Sequence, residues 1–321
     1  MRRAGYRRTV RSPQVVPLPG LPDRVTVYEV GARDGLQNEK AIVPVEVKAE
    51  LVRRLVAAGS RSIELTSFVH PRWVPQLADA EQLLAALGPV GDGILADVRA
   101  PVLVPNLRGL ERALALGVRE VAVFVSATES FARKNLNRTR QEALDMSAEV
   151  ARDALAAGVA VRGYVSMCFG DPWEGDVDLA PVVDVVRALR EQGCHEISLG
   201  DTIGVATAGH VVALLDALAD AGVSTSALAV HFHDTYGQAL SNTLVALQHG
   251  ITVVDASAGG LGGCPFAQSA TGNLATEDLV WMLHGLGIET GLDLPALVET
   301  STWLSEQMGR PSPARAVRAL G

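Results

Sequence analysis

Cysteine is scarce in this sequence of 321 residues, which has only Cys168, Cys194 and Cys264. An odd number of cysteines without close pairs excludes a disulfide framework and favours a reducing compartment. Long apolar runs are also missing, since none reaches the roughly 18 residues that a membrane-spanning helix needs. The chain shows no charged-then-apolar leader that ends at a small-residue cleavage site. These absences predict a cytoplasmic protein without a membrane partner.

Aromatic residues are few, and acidic residues outnumber basic ones. Aromatics make up 4% of the chain and hydrophobic residues 48%, which is typical of a globular protein with an aliphatic core. The net charge of -8 disfavours nucleic acid as a partner. Five arginines nevertheless fall within residues 1–11, before the proline-rich "SPQVVPLPGLP". We expect residues 1–23 to form a disordered or extended tail, with an organelle-type presequence and a contact arm as alternatives, and residues 24–321 to form the folded domain.

Short apolar runs rich in β-branched residues alternate with helical stretches over most of the chain. The eight runs lie at 25–30, 62–67, 101–106, 120–126, 159–167, 195–200, 228–234 and 251–257. The segments between them are apolar at helical spacing, and several end in glycine. Eight such units in one chain predict a parallel (β/α)8 barrel, an α/β TIM barrel, followed by extra C-terminal helices. A doubly wound sheet is less compatible, because "GARDGLQNEK" lacks the glycine spacing of a dinucleotide fingerprint.

Polar residues close many of the predicted strands. They are Arg33 and Asp34, Glu64, Asn106, Arg162, Asp201, and His231 with His233. In a barrel of this kind the carboxyl ends of the strands form one face, where the active site lies. The pattern therefore predicts a polar site at that face.

The segment "AVHFHDT" predicts a metal site. His231 and His233 are two residues apart on a strand, so both side chains project to the same face. Two buried histidines beside a carboxylate are typical of a divalent-metal site, for which Asp34 is the natural carboxylate, whereas structural histidines are the alternative. Imidazole with carboxylate and amide oxygens suits Mg²⁺ or Mn²⁺ better than zinc.

The segment "GGLGGCPFAQSATGNLATED" places four glycines just before Cys264. Glycine loses more backbone entropy on folding than any other residue, so such a run indicates that backbone freedom is required. We interpret it as a loop that closes over substrate and carries a catalytic thiol, with an inert buried cysteine and a metal ligand as alternatives.

Lysine is rare, which excludes one chemistry for a barrel. Only Lys40, Lys48 and Lys134 are present, and none lies on a predicted strand. An imine-forming aldolase would need such an amine inside the barrel. Carbon–carbon cleavage here would instead depend on the metal as Lewis acid.

Several long motifs carry a resemblance to a known family. They are "ARDGLQNEK", "IELTSFVHPRWVPQ", "VRGYVSMCFGDPWEG", "EISLGDTIGVATAG", "LAVHFHDTYGQALSNTL" and "GGLGGCPFAQSATGNLATEDLVWML". Together, over about residues 24–295, they closely resemble the 3-hydroxy-3-methylglutaryl-CoA lyases of the metal-dependent lyase and Claisen-synthase barrel family.

The resemblance implies roles for individual residues. The metal ligands would be Asp34, His231, His233 and Asn273, as that family holds its metal. Glu64 would orient metal-bound water, Arg33 would face the thioester oxygen, and Cys264 would donate a proton to the enolate. The base that takes the hydroxyl proton would be Asp201, with a water arranged by Glu64 and a purely structural Asp201 as alternatives. Gln37 and Asn106 would line the substrate pocket, and Arg162 and Ser198 would be substrate-carboxylate or network positions. Glu277 and Asp278 would serve either the site or the start of a helix.

The activity implied by the resemblance is cleavage of (S)-3-hydroxy-3-methylglutaryl-CoA to acetyl-CoA and acetoacetate, in leucine degradation, without an organic cofactor. A homodimer or a higher homo-oligomer is expected. The alternatives are a lyase for another 3-hydroxy-3-alkylglutaryl-CoA or related hydroxyacyl-CoA and a Claisen-condensing synthase, for which the chain has little room after the barrel. A non-enzymatic metal-binding protein is disfavoured, because it would not need Arg33.

Overall fold

The computed structural model of the protein describes residues 11–263 and 272–321. The predicted catalytic thiol of Cys264 lies outside the described residues. Among the described residues, no helix is long and apolar enough to cross a membrane.

Among the described residues, eight parallel strands form one sheet. Their bounds are β1 Thr26–Glu29, β2 Thr66–Ser67, β3 Val102–Leu103, β4 Glu120–Ser126, β5 Ala160–Ser166, β8 Glu196–Asp201, β9 Leu228–Phe232 and β10 Val253–Ala256. Their spatial order is β1-β10-β9-β8-β5-β4-β3-β2. The first strand also pairs in parallel with the segment before β2, where the amide of Glu64 donates to the carbonyl of Glu29 (2.9 Å). This pairing closes the sheet, and the predicted TIM barrel is confirmed.

A short antiparallel hairpin follows β5, with β6 at Gly170–Asp171 and β7 at Gly175–Asp176. All eight predicted strand runs contain a strand, but the strands in the runs 62–67 and 101–106 have only two residues each. In the run 62–67, Ser62 and Ile63 make isolated bridges and only Thr66–Ser67 forms a strand. His233 likewise lies just beyond β9, in an isolated antiparallel bridge to Asn273.

Helices follow the strands and surround the barrel. Their bounds are α1 Val45–Ala57, α2 Ala80–Leu87, α3 Leu107–Ala115, α4 Glu129–Leu136, α5 Arg140–Ala156, α6 Leu179–Glu191, α7 Ala208–Asp220, α8 Ala239–Gln248, α9 Thr276–Gly285, α10 Leu294–Met308 and α11 Arg315–Leu320. The longest, α5, begins at a capping box in which Thr139 and Glu142 satisfy each other's backbone amides. The extra C-terminal helices, α10 and α11, are confirmed.

The core between the helices and the sheet is aliphatic, as the composition predicts. Leucines and valines such as Leu51, Val161 and Leu214 are fully buried in it. Cys168 and Cys194 are buried there too, and burial raises the pKa of the Cys194 thiol to about 12, so neither is a reactive thiolate. All three lysines lie off the strands, as predicted: Lys48 on α1, Lys134 on α4 and Lys40 in a loop.

The described part of the N-terminal tail, residues 11–23, contains neither a helix nor a strand. It follows the end of α9, where the amide of Val16 donates to the carbonyl of Gly285 (2.8 Å). The lack of helix and strand in these residues agrees with the predicted tail, and the domain boundary at residues 23 and 24 stays a prediction.

Candidate active site

Three predicted metal ligands meet at the carboxyl end of the barrel. Asp34 lies in the π-helical turn Gly31–Gly35 that follows β1, and His231 and His233 lie on and just after β9. One ligand atom from each of these side chains lies within 4.8 Å of the others. The His-x-His spacing therefore brings the two imidazoles to the same side, with ring centroids 5.2 Å apart.

Asn273 joins this cluster through its amide. Its Nδ2 donates to Asp34 Oδ2 (2.8 Å) and to the carbonyl of Leu261 (2.9 Å), and its bridge to His233 places it beside the histidines. Because both donor bonds use Nδ2, the amide oxygen faces away from these partners. The structure thus brings together all four ligands that the sequence resemblance implied.

The donor atoms fit a divalent ion. Among the described residues, His233 Nδ1, Asn273 Oδ1 and Glu64 Oε1 are buried without a hydrogen-bond partner. Buried polar atoms almost always have a partner, so three such atoms at one site are suited to bind a ligand. Imidazole nitrogens with carboxylate and amide oxygens suit Mg²⁺ or Mn²⁺.

The protonation states also suit metal binding. Burial raises the pKa of Asp34, but Arg33 and the histidines more than offset this, and the net pKa lies below its ordinary value. Burial, with His231 nearby, lowers the pKa of His233 to about 4. At neutral pH the site therefore offers an ionised carboxylate and a neutral imidazole, the forms that bind metals.

Arg33 lies between the metal site and Glu64. Its Nε donates to Glu64 Oε2 (2.5 Å) and its Nη1 donates to Asp34 Oδ1 (2.6 Å). Tyr164 on β5 donates its hydroxyl to the same Glu64 oxygen (3.1 Å), and the Arg33 guanidinium lies 5.3 Å from the Tyr164 ring centre. These contacts fix the guanidinium in one orientation beside the metal ligands, as a group that stabilises a developing negative charge must be.

Asp201 lies at the end of β8, but its carboxylate is committed to a turn. Oδ1 accepts from the amide of Val205 (2.9 Å) and Oδ2 accepts from the amide of Ala206 (3.1 Å). Burial raises the pKa of Asp201 to about 6, although these backbone bonds lower it. This geometry favours the structural alternative for Asp201 over the general base.

Asp201→Asn separates these two roles. An amide can accept only one of the two backbone bonds, so we expect the free energy of unfolding to fall by about 1–2 kcal/mol. We expect kcat to fall less than about tenfold, since a true general base is worth about 10²–10⁴-fold. Urea unfolding and steady-state kinetics check this, and a large loss of kcat with unchanged stability would restore Asp201 as the base.

Arg162 and Ser198 do not reach the mouth of the barrel. Both side chains are fully buried in the barrel interior, where each donates to Asp255. Because Arg162 also binds Glu196 (2.6 Å), its guanidinium is occupied by two carboxylates. For both residues the geometry favours the network alternative over a contact with the substrate carboxylate.

Asn106 also has a local role. It is exposed at the start of α3, and its Oδ1 accepts from the amide of Gly109 (3.0 Å), so it is the N-cap of this helix, and its pocket role stays a prediction. Gln37 is half-buried just after the turn that carries Arg33 and Asp34. This position is compatible with a place in the pocket, which stays a prediction for Gln37.

The glycine-rich segment begins in an unusual backbone conformation. Gly259, Gly260 and Gly262 have φ values of 65°, 67° and 112°, which other residues rarely adopt. A Cβ on Gly262 would also collide with the Asn273 amide. These glycines therefore allow the chain to pass closely over Asn273 just before Cys264.

Two buried carboxylates accept hydrogen bonds from the backbone at the start of this glycine-rich segment. Glu29 on β1 accepts from the amides of Gly31 (2.7 Å) and Ala258 (2.9 Å), and Glu277 accepts from the amide of Gly259 (2.9 Å) and from the Ser301 hydroxyl. Burial raises the pKa of Glu29 to about 7 and that of Glu277 to about 8. Glu277 begins α9, as expected, but its carboxylate binds the glycine-rich segment.

This arrangement predicts a pH dependence of stability. Between the ordinary pKa of 4.5 and the folded value of about 8, the native state binds more protons at Glu277 than the unfolded state does. The free energy of unfolding should therefore fall as pH rises through this window, by about 1.4 kcal/mol for each unit of pKa difference. Glu277→Gln, which mimics the neutral form, should flatten the slope in urea unfolding from pH 5.5 to 8. The exposed Glu306→Gln on α10 is the control, and equal slopes in all three proteins would contradict the account.

Asp278, beside Glu277, has a structural role. Its oxygens accept from the amides of Ala316 (2.6 Å) and Arg315 (3.1 Å) at the start of α11. It therefore fastens the last helix to α9, close to the mouth of the barrel. This is a helix-end role, although for a different helix from the one that the sequence indicated.

Three residues of the site escaped the sequence analysis. Asp255 on β10 binds His231, Tyr164 binds Glu64, and Glu29 supports the glycine-rich segment. For Asp255 and Glu29 a signal was present, since each is an acidic residue within an apolar strand run, and such residues are rarely buried without a partner. Tyr164 offered no comparable signal.

Comparison with known proteins agrees with this geometry. The HMGL-like family profile matches residues 24–304. The chain is 52% identical over 301 residues to the mitochondrial hydroxymethylglutaryl-CoA lyase of Arabidopsis thaliana, covering 94% of this chain and 63% of that protein's length. It is 51% identical over 303 residues to the cytoplasmic 3-hydroxy-3-methylglutaryl-CoA lyase of Danio rerio, covering 94% of this chain and 88% of the relative.

A solved structure shows the same architecture. The HMG-CoA lyase of Acinetobacter baumannii, in complex with coenzyme A and 3-methylmalate, superposes with a TM-score of 0.86 at 34% identity. The match covers 95% of this chain and 97% of that one. Fold, site geometry and sequence identity agree, and this chain therefore belongs to the HMGL-like family.

Proposed function

We propose that this chain is a hydroxymethylglutaryl-CoA lyase, which cleaves (S)-3-hydroxy-3-methylglutaryl-CoA to acetyl-CoA and acetoacetate. The observation that carries the proposal is the cluster of Asp34, His231, His233 and Asn273 with the Arg33 guanidinium fixed beside it. A metal store would need the four ligands alone. A lyase needs in addition a fixed positive charge where the enolate forms, and Arg33 provides it.

The divalent ion, held by these four residues, would lower the pKa of the substrate's C3 hydroxyl. The hydroxyl proton then passes to a base, the C2–C3 bond breaks, and its electron pair forms the enolate of acetyl-CoA. The former C3 carbon becomes the ketone of acetoacetate. Among the described residues, Glu64 is the best placed to hold the water that accepts the hydroxyl proton, because its Oε1 has no other partner.

Arg33 stabilises the enolate. Its Nε and Nη1 are committed to Glu64 and Asp34, so Nη2 is the nitrogen left to face the thioester oxygen. Because these carboxylates already hold the guanidinium, no reorganisation is needed when charge develops. Cys264, which follows the glycine-rich segment, would protonate the enolate carbon to give acetyl-CoA, and closure of that segment would exclude water.

The acyl group is the least constrained part of the proposal. A relative at 34% identity binds coenzyme A and 3-methylmalate, whereas the relatives at 51% and 52% identity carry the hydroxymethylglutaryl-CoA lyase name. The higher identities favour the hydroxymethylglutaryl thioester. We extend the proposal to Mg²⁺ or Mn²⁺ as the ion, to leucine degradation as the pathway, to the cytoplasm as the compartment and to a homodimer or a higher homo-oligomer.

Substrate comparison tests this proposal. Purified protein with Mg²⁺ or Mn²⁺ is assayed with three thioesters of coenzyme A. They are the hydroxymethylglutaryl thioester, the thioester of 3-methylmalate and a 3-hydroxy-3-alkylglutaryl thioester with a longer alkyl group. For each, kcat/KM is measured from product release. We expect the first to be cleaved with the highest kcat/KM, and Cys264→Ala to abolish most of that cleavage. A higher kcat/KM for either competitor, or condensation of acetyl-CoA with an oxo acid as the main reaction, would overturn the assignment.

A further inference from the structure

The ring of His231 contacts a buried carboxylate on the next strand. Asp255 on β10 is the register partner of His231 on β9, and Asp255 Oδ2 lies 3.2 Å from His231 Nδ1. The carboxylate of Asp255 is fully buried, and it contacts the Nδ1 atom of the ring. His231 Nε2 faces that site, 3.9 Å from Asp34 Oδ2.

Asp255 is itself held by two donors. Arg162 donates from Nη2 to Oδ1 (2.6 Å) and from Nη1 to Oδ2 (3.2 Å), and Ser198 donates its hydroxyl to Oδ2 (2.9 Å). A carboxylate that is paired with a guanidinium and a hydroxyl donor acts as a hydrogen-bond acceptor. His231 Nδ1 is therefore the donor to Asp255, and Nε2 is the ring nitrogen directed at the metal site.

Arg162 is anchored from the other end of the barrel. Its Nε donates to Glu196 (2.6 Å), which accepts in turn from Arg99 (3.1 Å). Arg162 and Arg99 also contact the ring of Tyr28, at 3.9 and 5.2 Å from its centre. The guanidinium that holds Asp255 therefore has little freedom to move away.

We propose that Asp255, held by Arg162 and Ser198, is a positioning residue that fixes His231 in its Nδ1–H tautomer with Nε2 directed at the metal site. The inference rests on the metal site of the proposed function. Metal-binding histidines commonly donate their second nitrogen to a carboxylate, and loss of that partner costs about 10–100-fold in metal affinity. Asp255 touches neither substrate nor metal, and it acts through His231.

Asp255→Asn is the variant that tests this role. Its side-chain oxygen can keep one bond to Arg162 while its amide nitrogen faces His231, which would move the ring proton to Nε2 and block the ligand atom. We expect the Kd for Mn²⁺, measured by electron paramagnetic resonance, to rise about 10–100-fold. Ser198→Ala, which removes a single hydroxyl, should weaken Mn²⁺ binding less and in the same direction.

Glu120→Gln is the matched control. Glu120 is also a buried strand carboxylate in this ionic network, but it binds Arg99 (2.6 Å) rather than His231. If the network had only a structural role, the two carboxylate-to-amide variants would affect Mn²⁺ binding alike. Far-UV circular dichroism and urea midpoints show whether each variant is folded, and unchanged Mn²⁺ affinity in folded Asp255→Asn would overturn the proposal.

A second measurement does not depend on any variant folding. Nitrogen-15 NMR of histidine-labelled, metal-free wild-type protein reports which ring nitrogen of His231 carries the proton. We expect protonated Nδ1 and unprotonated Nε2, and the opposite tautomer would overturn the proposal. Mn²⁺ binding without thioester cleavage would refute the proposed function while leaving the role of Asp255 intact.

Discussion

Arg33→Gln is expected to lower kcat by about 10²–10³-fold, the loss seen when one preorganised donor to a developing oxyanion is removed. The physical reason is that charge appears on the thioester oxygen only when the C2–C3 bond breaks. The guanidinium beside that oxygen stabilises the transition state more than the bound substrate. KM should therefore change much less than kcat, and steady-state kinetics on (S)-3-hydroxy-3-methylglutaryl-CoA separate the two.

Two further variants make the Arg33 test specific. Arg33→Lys keeps the charge but cannot bind Glu64 and Asp34 through a planar fork, so we expect a kcat between those of wild type and Arg33→Gln. Arg54→Gln, which removes an arginine paired with Glu50 (2.9 Å) on the surface of α1, should leave kcat unchanged. An Arg33→Gln protein that raises KM with unchanged kcat would assign Arg33 to substrate binding alone.

Asp34→Asn is expected to weaken Mn²⁺ binding by more than about 100-fold. This loss exceeds the one expected for Asp255→Asn, which removes a group that contacts a metal ligand but not the metal. Asp34 is the one carboxylate among the four proposed ligands, so the amide variant removes the negative charge that attracts a divalent cation. Cleavage should fall in parallel and should recover in part at high Mn²⁺ concentrations. Electron paramagnetic resonance titration with matched activity assays measures both effects.

Asp234→Asn is the control for this experiment. Asp234 directly follows His233, but its oxygens accept from the amide of Ala239 (3.0 Å) and from Arg315 (2.6 Å), away from the ligand cluster. We expect Mn²⁺ affinity to stay within a few-fold of wild type in this variant. Equal losses in both variants would mean that charge near the mouth, rather than coordination by Asp34, sets the affinity.

The sequence predicts the barrel and the His-x-His pair because both depend on periodicity. Alternating strand and helix patterns identify the eight units, and the two-residue repeat of a strand places His231 and His233 on one side. Asn273 was assigned through the resemblance alone, since no local pattern marks it. Its contact with Asp34 spans 239 residues of sequence and exists only when the barrel closes.

The alternatives that the sequence left open for three residues have a common physical origin. Arg162, Ser198 and Asp201 lie on strands that lead to the site, but a strand position does not reveal how deep in the barrel a side chain lies or which partner it meets. Asp255 meets His231 only through the register of two parallel strands, 24 residues apart in sequence. Asp201 accepts from amides of the turn that follows it, a local bond that competes with a catalytic role.

The central claim is that this barrel cleaves a hydroxymethylglutaryl thioester with the help of a divalent ion. The ion is bound by Asp34, His231, His233 and Asn273. The most direct measurement is release of acetyl-CoA and acetoacetate from (S)-3-hydroxy-3-methylglutaryl-CoA by protein stripped with a chelator, before and after Mg²⁺ or Mn²⁺ is restored. We predict equal amounts of both products with the ion and none without it. Cleavage that survives complete removal of the ion, or no cleavage by the reloaded protein, would contradict this account.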